Sequence, residues 1–140
     1  MNILLAADGS RYTKKALAYL IVNNLLQESG AALTVVHVQS PLPPHVTRHL
    51  ERTVVADYYG EMAEKVLDPI RRFLQRHALK CSVDWTLGTP ADEIVRAARK
   101  NKARLIVMGT HGHGLLGSIL LGSVAQRVVA QSPVPVLLVK

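Results

Sequence analysis

The residues of this chain best suited to chemistry lie in one uncharged loop and one acidic turn. The stretch MGTHGHGLLGSILLGS, residues 108–123, holds five glycines and two histidines and no Lys, Arg, Asp or Glu. Asp8 stands in a second glycine-bearing turn, AADGS. Gly112, Gly114 and Gly117 spell G-x-G-x-x-G. A dinucleotide fingerprint, however, belongs in the first strand–helix turn, with an acid about 20 residues later for the ribose. Here the match follows the fourth strand, and no acid follows it through SPVPVLLVK. A Walker A loop needs a Lys that this loop does not have, so the usual phosphate-binding cation of a phosphoryl-transfer enzyme is missing.

What remains is a loop able to bind an anion through its backbone. Gly109 ends a buried strand, where the chain must turn sharply. Gly112 lets the main chain approach a ligand with no Cβ in the way. Gly122 and Ser123 lie at a helix start, where free N–H groups and the helix dipole favour phosphate, and Ser123 can add its hydroxyl. A plain glycine turn followed by a serine cap accounts for the same residues taken alone. Asp8 has three open roles: acceptor for a ribose hydroxyl, holder of a divalent cation beside phosphates, or Asx turn into the first helix. His111 and His113 read as solvated loop residues better than as metal ligands, with His113 within reach of a phosphate. His37 lies inside a strand and reads as a hydrogen-bonded structural residue. No Ser-His-Asp or Cys-His constellation assembles from the sequence.

The elements that must position these residues follow from hydrophobic periodicity. Four apolar runs, 3–7, 33–38, 105–108 and 136–139, predict fully buried parallel strands. A fifth, CSVDWTL, alternates apolar and polar residues, which predicts a strand at a sheet edge. Ser10 is placed to cap a helix that turns Ala16, Leu17, Leu20, Ile21 and Leu25 to the sheet. Tyr58, Met62, Val66, Ile70 and Leu74 step by four along a longer helix, which Pro69 should kink. Thr89 and Pro90 predict an N-cap and first helical residue, with Asp92 completing a capping-box-like start. A last helix starts near Gly122–Ser123 and ends before Pro133. Residues 40–56, opening SPLPPH, form the one long connection, a length typical of lids and flaps.

The order β-α-β-α-β-α-β-α-β predicts a single α/β domain over 1–140, a five-stranded parallel sheet with helices on both faces. The expected strand order is 3-2-1-4-5. It puts Asp8 and Gly109 at the carboxyl ends of neighbouring central strands, where open α/β sheets bind ligands. The final strand forms the other edge and reads as a pairing surface for a second copy.

Composition narrows the function further. Nearly half of the residues are apolar, so the chain can build a core, and its apolar runs are far too short to span a membrane. No basic-then-apolar leader opens the sequence, and Cys81 stands alone, which together predict a cytoplasmic protein without an internal disulfide. The net charge of +7 raises the question of nucleic acid. Its densest patch, RAARKNKAR at 96–104, sits at an expected helix end, where cations complement the dipole, and holds no aromatic residue to stack on bases. Nucleic acid is therefore not the expected partner. Glu61, Glu64 and Asp68, with Lys65, Arg71 and Arg72 nearby, read as a salt-bridged helical face.

The spacing Gly109-x2-Gly112-x9-Gly122-Ser123 resembles the ATP-binding signature of the universal stress protein family. The resemblance runs through ILLAADGS, LTVVHV, the G-x-P-A-x-x-I at Gly88 to Ile94, LIVMGTHG and SPVPVLLVK, and so spans the chain. It implies a Rossmann-like domain, usually dimeric, that binds adenine nucleotide at the carboxyl edge of its sheet. By position it implies Ala7 and Asp8 near ribose and base, Val38 on adenine through its backbone, and Met108 and Gly109 along the nucleoside. It implies Gly112, Gly122, Ser123 and Val124 on the phosphates. The family's first strand often ends in Pro or Val where this chain has ADGS. The expected function is a nucleotide-dependent regulator in stress response that binds ATP, AMP or ADP, with Mg²⁺ or Mn²⁺ as a possible companion. A slow metal-dependent ATPase or nucleotide-transferring enzyme is the alternative, and a nucleic-acid-associated protein a third. The downstream protein partner is not legible.

Overall fold

A computed structural model describes residues 1–27, 30–113 and 120–140. Ten elements follow one another: β1 (Asn2–Ala6), α1 (Arg11–Val22), β2 (Ala32–Gln39), α2 (Pro44–Thr47), α3 (Arg52–Arg76), β3 (Cys81–Leu87), α4 (Pro90–Lys100), β4 (Leu105–Gly109), α5 (Ser123–Gln131) and β5 (Val136–Val139). The five strands form one sheet in the order β3-β2-β1-β4-β5, and every pairing is parallel. Fold class and strand order agree with the sequence-based expectation.

Burial on both faces explains the continuous apolar runs. On β1, Ile3 and Leu5 join one core with Leu17 and Leu20 of α1 and Leu67 and Leu74 of α3. Leu4 and Ala6 face the other side, with Ile94 of α4 and Val128 of α5. A strand clamped this way has no face left for polar residues. β3 differs as its alternation predicts. Val83 and Trp85 pack toward α1 and α3, while Ser82 on the other face hydrogen-bonds the Thr34 hydroxyl at 3.3 Å.

Several local expectations need correction. The long connection is mostly helical: α2 occupies Pro44–Thr47, and α3 already begins at Arg52. The Leu42 N–H donates to the Tyr59 hydroxyl at 2.8 Å, which ties the segment before α2 to α3. The apolar stripe of α3 also shifts. Its buried residues are Tyr59, Ala63, Leu67, Ile70 and Leu74, whereas Tyr58 is 39% exposed. Steps of four drift about 40° each round a 3.6-residue helix, so a stripe fixed at Leu74 cannot reach Tyr58. α3 runs through Pro69 as one helix of 25 residues. Ser10 and Thr89 occupy their N-cap positions, but neither side chain makes a cap hydrogen bond. Asp92 lies 3.5 Å from Arg127 instead of completing a capping box.

The charged face of α3 is salt-bridged only in part: among the described residues Glu61, Lys65 and Arg72 make no ion pair. Arg71 pairs with Glu64 and Asp68, and its hydrogen bond to the Glu64 carboxylate pushes the guanidinium pKa up. Arg99 and Lys100 occupy the last turn of α4, within the basic patch.

Leu5 lies at the centre of the sheet and is fully buried. Leu5→Ala should cost about 2–5 kcal/mol through lost burial and the cavity left behind. A lowered urea midpoint with an unchanged slope is the expected result. Val22→Ala, at a position 76% exposed, should stay within about 0.5 kcal/mol of the parent.

Candidate functional site

β1 stops at Ala6, while β2 continues to Gln39 and β4 to Gly109. The sheet is therefore notched at its carboxyl edge, and the notch opens into a cavity of about 410 Å³. Ala7, Asp8, Val38, Met108, Gly109, Gly112, His113, Gly122, Ser123 and Val124 all line it, so the structure brings these ten expected nucleotide-site residues together. Gly114 and Gly117 lie outside the described residues. Val36, Ile94 and Ala125 give the cavity apolar walls.

Asp8 is held by one of its two oxygens. Its Oδ1 accepts from the Ser10 N–H at 2.9 Å and from the Thr13 hydroxyl at 3.0 Å, while its own N–H donates to Thr13 Oγ1 at 3.1 Å. This is the Asx turn, and it leads into α1 as that role requires. Oδ2 has no hydrogen-bond partner among the described residues, and a Cβ built on Gly112 would lie 2.8 Å from it. The turn role thus leaves the second carboxylate oxygen available to a ligand.

β2 supplies a second open pair of groups. Odd residues of β2 bond to the β3 side, as Gly88 N–H to Gln39 O shows, and even residues to the β1 side, as Ala7 N–H to Val36 O shows. By that alternation Val38 turns its N–H and C=O toward β1 at a level where β1 has already ended. The Ala7 carbonyl accepts from His37 Nδ1 at 2.8 Å. His37 is therefore the structural residue expected, buried with both ring nitrogens engaged.

α5 provides the third set. The Gly122 N–H donates to Thr110 O at 2.7 Å, and Gln126 N–H makes the first intrahelical bond, to Gly122 O. Gly122 thus offers no free amide, contrary to expectation. The amides of Ser123, Val124 and Ala125 follow it on the first turn and find no acceptor among the described residues. They are the positive end of the helix dipole. Thr110 was not legible as a site residue. It is buried, its N–H donates to Val139 O at 2.9 Å, its carbonyl accepts from Gly122, and its hydroxyl meets His111 Nδ1 at 2.8 Å. One residue so fixes the distance between β4, β5 and α5.

Each histidine of the loop has a partner. His113 Nε2 donates to Asp8 O at 2.7 Å, so in the neutral ring Nδ1 carries the lone pair and gives a phosphate no second donor. His111 stacks on Tyr12 with ring centroids 5.3 Å apart. Among the described residues no three His, Cys, Asp or Glu side chains gather as a metal site would need. Partial burial pushes the Cys81 thiol pKa up, away from thiolate chemistry. Among the described residues no Lys or Arg lines the cavity, and no helix is long and apolar enough to cross a membrane.

The universal stress protein family model matches residues 1–140. The chain belongs to the universal stress protein family. A universal stress protein of Thermus aquaticus is 41% identical over 99% of this chain and 98% of its own length. Universal stress protein MJ0531 of Methanocaldococcus jannaschii is 34% identical over 99% of this chain and 81% of its own. Among solved structures, MJ0577 from the same archaeon superposes with a TM-score of 0.83 at 28% identity, over 99% of this chain and 94% of that one. Two more distant structures share the fold. An Arabidopsis thaliana family member with AMP bound has a TM-score of 0.73 at 16% identity, over 100% and 91% of the chains. The Archaeoglobus fulgidus protein in complex with dAMP has 0.72 at 22%, over 100% and 98%.

The glycines of this universal stress protein differ in what they protect. A Cβ on Gly109 would run into Cβ of Tyr12, in the first turn of α1, whereas nothing lies within 4 Å of one on Gly60, inside α3. Gly109→Ala should cost about 1–3 kcal/mol as α1 is forced outward. Gly60→Ala should instead stabilise by about 0.5–1 kcal/mol, because a helical glycine is replaced without a collision. Chemical denaturation of the two variants checks both signs.

Proposed function

We propose that this universal stress protein is a cytoplasmic adenine-nucleotide-binding regulatory module of stress response, with the notch at the carboxyl edge of the sheet as its nucleotide site. The observation that carries this reading is the set of unmade hydrogen bonds around one cavity. Asp8 Oδ2, the Val38 backbone and the first amides of α5 suit, in that order, a ribose hydroxyl, a base edge and a phosphate. Met108, Ile94 and Val36 give the base apolar walls. Relatives of the same fold carry AMP and dAMP, which supports the adenine nucleotide. ATP extends the same phosphate chain past Gly112.

The site binds and orients, and among the described residues it presents no cationic side chain for rapid phosphoryl transfer. With no Lys or Arg lining the cavity among the described residues, charge developing on a transferring phosphoryl group would meet only amide dipoles. Mg²⁺ or Mn²⁺ bound with ATP would find Asp8 Oδ2 as its available carboxylate oxygen. The function follows from occupancy, so a downstream protein reads the bound state.

The module works as a homodimer paired through β5. That strand bonds to β4 on one side, and among the described residues no strand covers the other. All four of its residues, Val136, Leu137, Leu138 and Val139, are half-buried. A second copy meeting it antiparallel about a two-fold axis would pair the edge groups and cover these side chains.

Calorimetry on two variants and light scattering test these readings. Asp8→Asn keeps Oδ1 for the turn and replaces Oδ2, so calorimetry should show both adenosine and ATP weakened about 10-fold, near 1.4 kcal/mol. Gly122→Val places a branched side chain beside the α5 amides and should weaken ATP by at least ~10-fold while sparing adenosine. A folded Gly122→Val protein with unchanged ATP affinity would remove phosphate from α5. For the dimer, light scattering should give twice the chain mass of 15.3 kDa. Lys at both Val136 and Leu138 should shift that value toward monomer, and a wild-type monomer at micromolar concentration refutes the pairing.

A further inference from the structure

A second cavity, of about 390 Å³, lies in the cleft between α1 and α3. Its floor is apolar, built by Leu17 of α1 and by Val66, Ile70 and Phe73 of α3. Thr13 also lines it, but its hydroxyl is already donor and acceptor to Asp8, so it presents no open polar group. Three cations, Lys14, Lys65 and Arg76, stand around this floor, and among the described residues no acid lines it.

The charge pattern of α3 gives the cleft its character. Glu64 and Asp68 both turn to Arg71 on a neighbouring stripe. Among the described residues no carboxylate pairs with Lys14, Lys65 or Arg76. An apolar floor under unpaired cations complements a ligand with a hydrocarbon body and one negative head. A neutral apolar ligand would leave the cations without a partner. A polyanion such as a nucleotide would set its charge against Leu17 and Phe73, where no hydrogen bond replaces its water.

We propose that the α1–α3 cleft is a binding site for an organic monocarboxylate with an apolar body. The carboxylate is held by Lys65, with Lys14 across the cleft on α1, while Arg76 stands about 16 Å further along α3. The hydrocarbon lies over Val66, Ile70 and Phe73. This site stands apart from the nucleotide reading, since none of its cations lines the first cavity.

Decanoate, kept below its micelle concentration, is the probe, with decyltrimethylammonium as the cation of equal chain length. Titration into the full chain, followed by calorimetry and amide chemical shifts, should show saturable 1:1 binding of decanoate, with shifts centred on Gly9, Thr13 and Val66. Decyltrimethylammonium should bind at least ~10-fold more weakly, because its head meets like charge. Lys14→Glu combined with Lys65→Glu, both at exposed positions, should weaken decanoate by at least ~10-fold. If that double variant does not fold, Lys14→Met with Lys65→Met keeps the apolar stems and tests the same charge. Equal binding of the two amphiphiles, wild-type decanoate affinity in the folded charge variant, or shifts centred on β5 or the first cavity would each overturn the proposal.

Discussion

The divided carboxylate of Asp8 is the interaction on which the arrangement of this protein turns. One oxygen takes the Ser10 amide and the Thr13 hydroxyl, and so fixes where α1 begins relative to the end of the central strand. The carbonyl of the same residue receives His113 Nε2, which brings the glycine loop back over β1. Both hydrogen bonds to Oδ1 are charge-assisted, and such bonds are about twice as strong as neutral ones. Deleting this side chain would release a helix start and leave Thr13, only 2% exposed, with a buried hydroxyl lacking its acceptor. The free oxygen is the by-product of that lock. Because Oδ1 is fixed, Oδ2 is aimed without a separate device to aim it.

The cavity exists because strand lengths differ. β1 ends level with Val36 of β2, and Ala7 makes the last bond across. Beyond it the backbone of Val38 keeps the direction of a sheet residue with no strand to meet. Thr110 performs the complementary task from the other side, closing β4 onto β5 and drawing Gly122 inward, so that α5 starts with its amides at the cavity wall. Sheet and helix both stop early here, and each leaves backbone groups whose natural partners are polar. A ligand can supply those partners, which is why the edge of an open parallel sheet so often becomes a site.

The sequence made the sheet legible because a central strand covered on both faces must be apolar at every position, as ILLAA is. It also made β3 legible as an edge, since Ser82, Asp84 and Thr86 could not lie under a helix. The stripe of α3 was harder to read. Its apolar residues outnumber one face, and Tyr59 was preferred over Tyr58 by a hydrogen bond to Leu42 that no periodicity encodes. The start of α3 was hidden for a related reason: Arg52, Val54 and Asp57 carry no amphipathic signal, and Val54 is exposed. At the site the residue types were readable but not the distribution of their bonds. Nothing in the spacing says that Gly122 gives its amide to Thr110. Nor does it reveal that Gly109 is demanded by Cβ of Tyr12, a packing contact 97 residues away in sequence.

The placement of charge bears on what kind of partner the first cavity can hold. The chain carries a net +7, yet none of its Lys or Arg residues lines that cavity among the described residues. The positive potential there comes from amides fixed at the end of α5, and their direction is set by the helix. Fixed dipoles stabilise an anion that is already present and need no rearrangement to do so. They cannot follow a phosphoryl group as it moves, donate a proton to a leaving oxygen, or swing in as an arginine does. Asp8 adds a negative charge close to Gly112, so a polyphosphate must be steered past it or share a cation with it. The chain's cations stand instead in places such as the rim of the α1–α3 cleft and the last turn of α4, where Arg99 and Lys100 complement the helix dipole.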